Sequence, residues 1–115
     1  MATIKSYTDI EQAKKLAEIL PLESADMYYF DDNGGEPKFK VRNGITYYDI
    51  ENCLCCWSLA SLLGVLPEIQ GGKPVIALDD NYITYPHMSD LHTKADNIVD
   101  ACVAMIEKLH KLKML

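Results

Sequence analysis

The sequence predicts an α+β domain, an antiparallel sheet of two hairpins or a meander packed against three helices in the order α-β-β-β-α-β-β-α. Three observations carry that expectation. An amphipathic, capped helix pattern lies near each end of the chain. Two turn clusters, Asp31-Asp32-Asn33-Gly34-Gly35 and Asp79-Asp80-Asn81, separate runs of β-forming residues. Between them the block Cys53–Pro67 holds the only Trp, three of the four Cys and no charge.

Thr8-Asp9-Ile10-Glu11 opens the first helix as a capping box: Thr8 accepts from the amide of Glu11, whose carboxylate reaches back to the amide of Thr8. Ile10, Ala13, Leu16, Ala17 and Leu20 then recur at three and four residues and form one apolar stripe. Pro21 ends the helix, because the residue before a proline is pushed out of helical geometry. Met27-Tyr28-Tyr29-Phe30 suits a strand. Lys38-Phe39-Lys40-Val41 alternates like its half-exposed partner, and Ile45–Ile50 makes a third strand after the Asn43-Gly44 turn.

Within the apolar block a helix is expected from about Ser58 to Leu63. Ser58 stands at its N-cap, Gly64 where a C′ glycine would sit, and Pro67 just beyond. Its apolar surface predicts burial on most sides, with Trp57 against the final helix. Lys73–Leu78 and Tyr82–Tyr85 form a second hairpin across Asp79-Asp80-Asn81, and Pro86 to Ala95 is a polar loop. Asn97 caps the last helix with Asp100 at its third position, and Ile98, Cys102, Met105, Leu109 and Leu112 mark the buried stripe. Leu20-Pro21 followed by Asp31-Asp32-Asn33 echoes Leu66-Pro67 followed by Asp79-Asp80-Asn81, which allows two helix–hairpin units plus a closing helix.

At 115 residues, with 49% hydrophobic and 24% charged residues, the chain fits a single domain with one real core. The first residues have no apolar stretch typical of a signal peptide, and no uncharged run reaches the ~18 residues a membrane helix needs. A cytoplasmic location and reduced thiols are therefore expected. The formal charge is −6, and residues 20 to 100 hold thirteen acids against five bases. That balance argues against direct binding of nucleic acid, whose phosphates attract Lys and Arg.

Cys53-x-Cys55-Cys56 lacks the matched pairs of a zinc site, and the distant Cys102 lies on a helix stripe, although His87 and His92 in the loop could complete one. The bland alternative is that these cysteines serve as small buried hydrophobes. Cysteine catalysis would require a thiol brought to His87, His92 or His110, and nothing local marks an activated thiol. Asp31–Glu36 departs from a calcium loop in its glycine positions and lies between strands. Gly71-Gly72-Lys73 precedes a strand, which is the wrong setting for a phosphate loop. No catalytic residue, metal or cofactor is expected.

The tyrosines offer more. In the neighbouring pairs Tyr28/Tyr29 and Tyr47/Tyr48, strand alternation predicts one ring toward the core and one outside. With Asp31 and Asp32 they form the predicted interaction surface, an acidic, tyrosine-bearing sheet face. Cross-strand aromatic packing is the competing explanation.

The segments Lys15–Met27, Cys56-Trp57-Ser58-Leu59-Ala60 with Leu62-Leu63 and Leu66-Pro67, and Val99-Asp100-Ala101-Cys102 with Met105-Ile106 and Lys108-Leu109 resemble a group of small uncharacterised proteins found in phage and prophage regions of gut bacteria. The resemblance implies a setting in which small non-enzymatic accessory proteins are common, and it assigns no activity or functional residue. The expected function is non-catalytic binding of a protein partner, with a homodimer among the options. The alternatives are an acidic decoy of a DNA-binding protein and a small Cys/His metal-binding protein.

Overall fold

A computed structural model describes residues 5–30, 38–39, 53–86 and 88–115. It has the predicted α+β architecture: helices α1 (Ile10–Ile19), α2 (Leu59–Val65) and α3 (Ile98–Lys111) with two small antiparallel sheets. The first sheet contains β1 (Met27–Phe30), β2 (Lys38–Phe39) and β3 (Cys53–Cys56), and the second β4 (Val75–Ala77), β5 (Tyr82–Tyr85) and β6 (Met88–Lys94). The strand expected at Ile45–Ile50, both turns before it and Tyr47/Tyr48 lie outside the described residues.

Helix α3 is the hub. Ile98, Val99, Ala101, Cys102, Val103, Met105, Ile106 and Leu109 are all buried, a wider face than a single apolar stripe supplies. That width lets it pack against α1, α2, β5 and β6 together. Leu16 of α1 and its C-cap Leu20, Trp57, Leu62 of α2, Ile83 and Tyr85 of β5, and Leu91 of β6 complete the main core. Asn97 caps α3 as expected, its side chain accepting from the amide of Asp100 at 2.8 Å.

The start of α1 is displaced by one residue from the predicted cap. Asp9 is the N-cap and accepts from the amide of Gln12 at 2.8 Å, while the Gln12 side chain accepts from the amide of Asp9. Thr8 is released to enter the interior, where it is 0% exposed. On the predicted stripe Ala13, Leu16 and Leu20 are buried, but Ile10 is 44% exposed.

The three strands of the first sheet do not form a meander. Their order is β2-β1-β3, so β1 is central and β3 pairs antiparallel with it, Met27 opposite Cys56 and Phe30 opposite Cys53. The second sheet is a meander, β4-β5-β6, and its third strand occupies the stretch expected to be a polar loop. Leu91 and Thr93 turn inward there, Thr93 Oγ1 donating to the carbonyl of Ala101 in α3, so the strand needs few apolar residues. The different strand orders remove the echo as evidence of two equivalent units.

The segment preceding α1 augments the fold beside β3. Tyr7 bridges antiparallel to Ser58, the amide of Thr8 donates to the carbonyl of Trp57 and that of Leu59 to Ser6. Between α2 and β4, Ile69 and Gly72 exchange both backbone hydrogen bonds around Gln70 and Gly71. Both central residues have positive φ, as a two-residue hairpin turn of this hand requires.

Ser58 caps α2, accepting from the amide of Ser61, and Asp26 in turn accepts from both the amide and the hydroxyl of Ser58. The helix continues through Gly64 to Val65, and its C-cap is Leu66 in extended conformation, so Gly64 is an interior residue and not the C′ glycine. Only Leu62 is fully buried, so α2 is a half-covered helix rather than one buried all round. A Cβ on Gly64 would meet nothing within 4 Å. Gly64→Ala should therefore stabilise the protein by about 0.5–1 kcal/mol, read as a higher denaturant midpoint at unchanged slope. A loss of stability would mean that position 64 terminates the helix.

Candidate functional site

Among the described residues, chemistry-bearing side chains meet in a buried cluster where β1 and β3 approach Thr8, in a carboxylate network around Lys5, and on the outward face of the second sheet.

Tyr28 and Tyr29 are both buried, at 6% and 9% exposure, so strand alternation does not send one of them to solvent. The reason lies in the sheet. Met27, Tyr29, Leu54 and Cys56 share the face that meets Ala13 of α1. On the opposite face Cys55, the cross-strand partner of Tyr28, joins the main core. A strand covered on both faces has no outside for a tyrosine to occupy. Asp31, Asp32, Tyr47 and Tyr48, the other members of the predicted surface, lie outside the described residues.

Tyr29 is anchored by its hydroxyl, which donates to the carbonyl of Thr8 at 2.6 Å. Thr8 Oγ1 accepts from the amide of Trp57 at 3.1 Å and lies 3.5 Å from Cys56 Sγ, which is also 3.5 Å from the Thr8 carbonyl. This arrangement satisfies buried polar groups rather than activating them. Burial raises the Cys56 thiol above its usual range, and the hydrogen bonds from Thr8 and Tyr29 do not offset it. Burial likewise pushes Cys102 up to about 12 and raises the Tyr29 phenol. Nucleophiles and metal ligands are thiolates, and these sites disfavour that form. Cys55, Cys56 and Cys102 are buried, and among the described residues no three His, Cys, Asp or Glu side chains gather as a metal site. His87 lies outside the described residues, and His92 is exposed on β6.

Two carboxylates of the acidic middle, Asp26 and Asp100, are engaged within the fold. Asp26 holds the cap of α2. Asp100 accepts from Lys5 Nζ and Gln12 Nε2, each at 2.8 Å, and Lys5 also pairs with Asp9 at 3.0 Å. Burial alone would raise the Asp100 carboxyl, but the hydrogen bonds from Lys5, Gln12 and Asn97 and the charge of Lys5 outweigh it and hold the group below its ordinary 3.8. Asp9 is lowered in the same way, against burial, by the Gln12 amide and Lys5. A carboxyl whose folded pKa is depressed contributes stability above its unfolded value and loses it as pH falls through the folded one. Stability should therefore decline below about pH 4, and Asp100→Asn should flatten part of that decline in urea titrations across the acid range. An unchanged acid slope would count against the Lys5–Asp100 link.

The open tyrosine-bearing sheet face belongs to the second sheet. Register places Val75, Ala77, Tyr82, Thr84, His92 and Lys94 on the side opposite Ile76, Ile83, Tyr85 and Thr93. Val75 is 52% exposed, His92 and Lys94 are exposed, and Tyr82 and Thr84 are half-buried. Tyr82 and His92 are diagonal neighbours and stack, with ring centroids 5.8 Å apart and planes inclined by 29°. The face is mixed in charge, with Lys94 and the exposed Asp90 on β6, rather than acidic. The sequence hides this face, because Pro86 to Ala95 reads as a polar loop. Its signal was the alternation of Leu91 and Thr93 with Asp90, His92 and Lys94.

Among the described residues, no helix is long and apolar enough to cross a membrane. Comparison of the chain with protein-family models, curated proteins and solved structures found no match.

Proposed function

We propose that the chain is a non-catalytic protein-binding domain whose contact surface is the outward face of β4, β5 and β6. The observation that supports this most directly is the Tyr82–His92 stack beside exposed Val75, an aromatic and aliphatic centre with Lys94 at its rim. Aromatic groups with an apolar body and a polar tip are favoured in contact surfaces, and stacking reduces the side-chain entropy lost on binding. The inert, buried thiols favour binding over catalysis or metal chemistry. A role as a cytoplasmic accessory factor of phage type is compatible with this surface. An acidic decoy is less well supported, because Asp9, Asp26 and Asp100 serve caps and ion pairs within the fold.

A photo-crosslinking residue placed at Tyr82 in the native host should capture a discrete partner, and one placed at exposed Lys14 on α1 should not. With the captured partner purified, Tyr82→Ala should weaken binding by about tenfold or more, the loss expected for an aromatic near the centre of an interface. Equal capture from both positions, or undiminished binding by Tyr82→Ala, would remove this face as the contact surface.

A further inference from the structure

The segment ahead of α1 is attached differently from the rest of the fold. No side chain of residues 5–8 belongs to either hydrophobic cluster of the described residues, and Ser6 and Tyr7 are exposed. The attachments are polar instead. The amide of Thr8 donates to the carbonyl of Trp57 and the amide of Leu59 to that of Ser6, each at 2.9 Å. Thr8 Oγ1 accepts from the amide of Trp57, and the Thr8 carbonyl accepts from the Tyr29 hydroxyl. At the other end Lys5 Nζ donates to Asp9, Gln12 and Asp100 at 3.0, 2.9 and 2.8 Å. Water replaces hydrogen bonds of this kind at small net cost, whereas the apolar face of α3 has no substitute for its burial. Segments with few apolar contacts open locally, ahead of the core.

We infer that residues 5–8 form a strap that opens as one unit while the helices and both sheets stay folded, with Lys5 as its latch and the Cys56 thiol as the group it covers. Lys5 is the one charged residue of the strap, and it ties the strap to Asp100 in the first turn of α3 and to the Asp9 cap of α1. Thr8 closes the other end. It is 0% exposed, and its Oγ1 and carbonyl each lie 3.5 Å from Cys56 Sγ. Pinned at both ends, so short a segment leaves as a whole. Closed, it keeps the thiol buried, which raises the group above its usual range and keeps it inert. Open, it admits water to the thiol, to the amides of Trp57 and Leu59 and to the Tyr29 hydroxyl. The fold thus links an ion pair near the surface to the accessibility of an interior thiol. None of these groups belongs to the Tyr82–His92 face, so the strap stands apart from the proposed contact surface.

Native-state hydrogen exchange of the full chain tests this amide by amide. Thr8, Trp57 and Leu59 should share one opening with weak urea dependence, while Cys102 to Leu109 exchange only through global unfolding. Ser58 is the internal control: it lies between Trp57 and Leu59, but its amide donates to Asp26 and not to the strap, so it should exchange more slowly than both neighbours. Lys5→Met keeps the apolar stem and removes the charge. It should speed exchange at Thr8, Trp57 and Leu59 by one common factor of about fivefold or more and leave the α3 amides unchanged. Alkylation of Cys56 by iodoacetamide, located by fragment mass spectrometry, should accelerate by the same factor, and that of Cys102 should not. Adding Asp100→Asn to Lys5→Met should bring little further acceleration at the three strap-dependent amides, because the two residues act as a pair. Exchange of Thr8, Trp57 and Leu59 in step with α3 in the unmodified protein would overturn the inference. So would Ser58 exchanging together with its neighbours, unequal responses to Lys5→Met, or Cys56 alkylation indifferent to it.

Discussion

Trp57→Ala should destabilise the protein by about 3–5 kcal/mol, a large part of the 5–15 kcal/mol available to a domain of this kind. The side chain is 0% exposed within the main core, so truncation loses its transfer energy and leaves a cavity that the surrounding elements can only partly fill. Its position explains why relaxation is limited. The amide of Trp57 donates to Thr8 Oγ1 and its carbonyl accepts from the amide of Thr8, while the next residue is the N-cap of α2. The backbone is thus fixed on both sides, and collapse into the vacancy would disturb the N-terminal bridge and the helix start together. The indole Nε1 donates to Ser24 Oγ at 2.9 Å. Ser24 is half-exposed, so water can replace that bond and the loss is chiefly one of packing. Trp57→Phe should accordingly cost markedly less than the alanine change. Urea unfolding followed by far-ultraviolet circular dichroism measures both without relying on the missing fluorophore. A loss below about 1 kcal/mol for the alanine variant would contradict this core arrangement.

The same neighbourhood shows what could be read in the sequence and what could not. Both terminal helices, the Ser58 and Asn97 caps and the β4–β5 hairpin follow from local signals, because capping and turn formation involve residues only a few positions apart. The strand order of the first sheet depends on β1 pairing with a segment more than twenty residues away, and no local pattern specifies that choice. Cys53-Leu54-Cys55-Cys56 nevertheless contained a clue. An unbroken apolar run suits a strand covered on both faces, and taking it as β3 would have placed both Tyr28 and Tyr29 inside. Thr8 misled for a related reason: Thr8-x-x-Glu11 and Asp9-x-x-Gln12 are both capping boxes by sequence, and the demand of the buried Trp57 amide for an acceptor accompanies the second. For the candidate site, the aromatic character was legible but its location was not. The inward or outward direction of a tyrosine depends on what covers its sheet, and β6 had to be recognised before Tyr82 could be placed beside His92.

Leu62→Ala tests the least secure of the three helices and should cost about 2–5 kcal/mol. Seven residues are too few for a helix to persist alone in water, so α2 depends on its Ser58 cap and its docking against α3. Leu62 is its one fully buried side chain, at 0% exposure, while Leu59, Leu63 and Val65 are only partly covered. Removing that anchor should therefore act first on α2. Native-state hydrogen exchange should show the amides of Leu62, Leu63 and Val65 opening at lower free energy than those of Cys102 to Leu109 in α3. Gly64→Ala provides the counter-test in the same helix, since it raises helix propensity without adding a tertiary contact. Combined with Leu62→Ala, it should recover about 0.5–1 kcal/mol and slow exchange within α2. If Leu62→Ala instead cost less than about 1 kcal/mol with α2 exchange unchanged, the helix would be held by its partly covered residues, and the docking described here between α2 and α3 would be wrong.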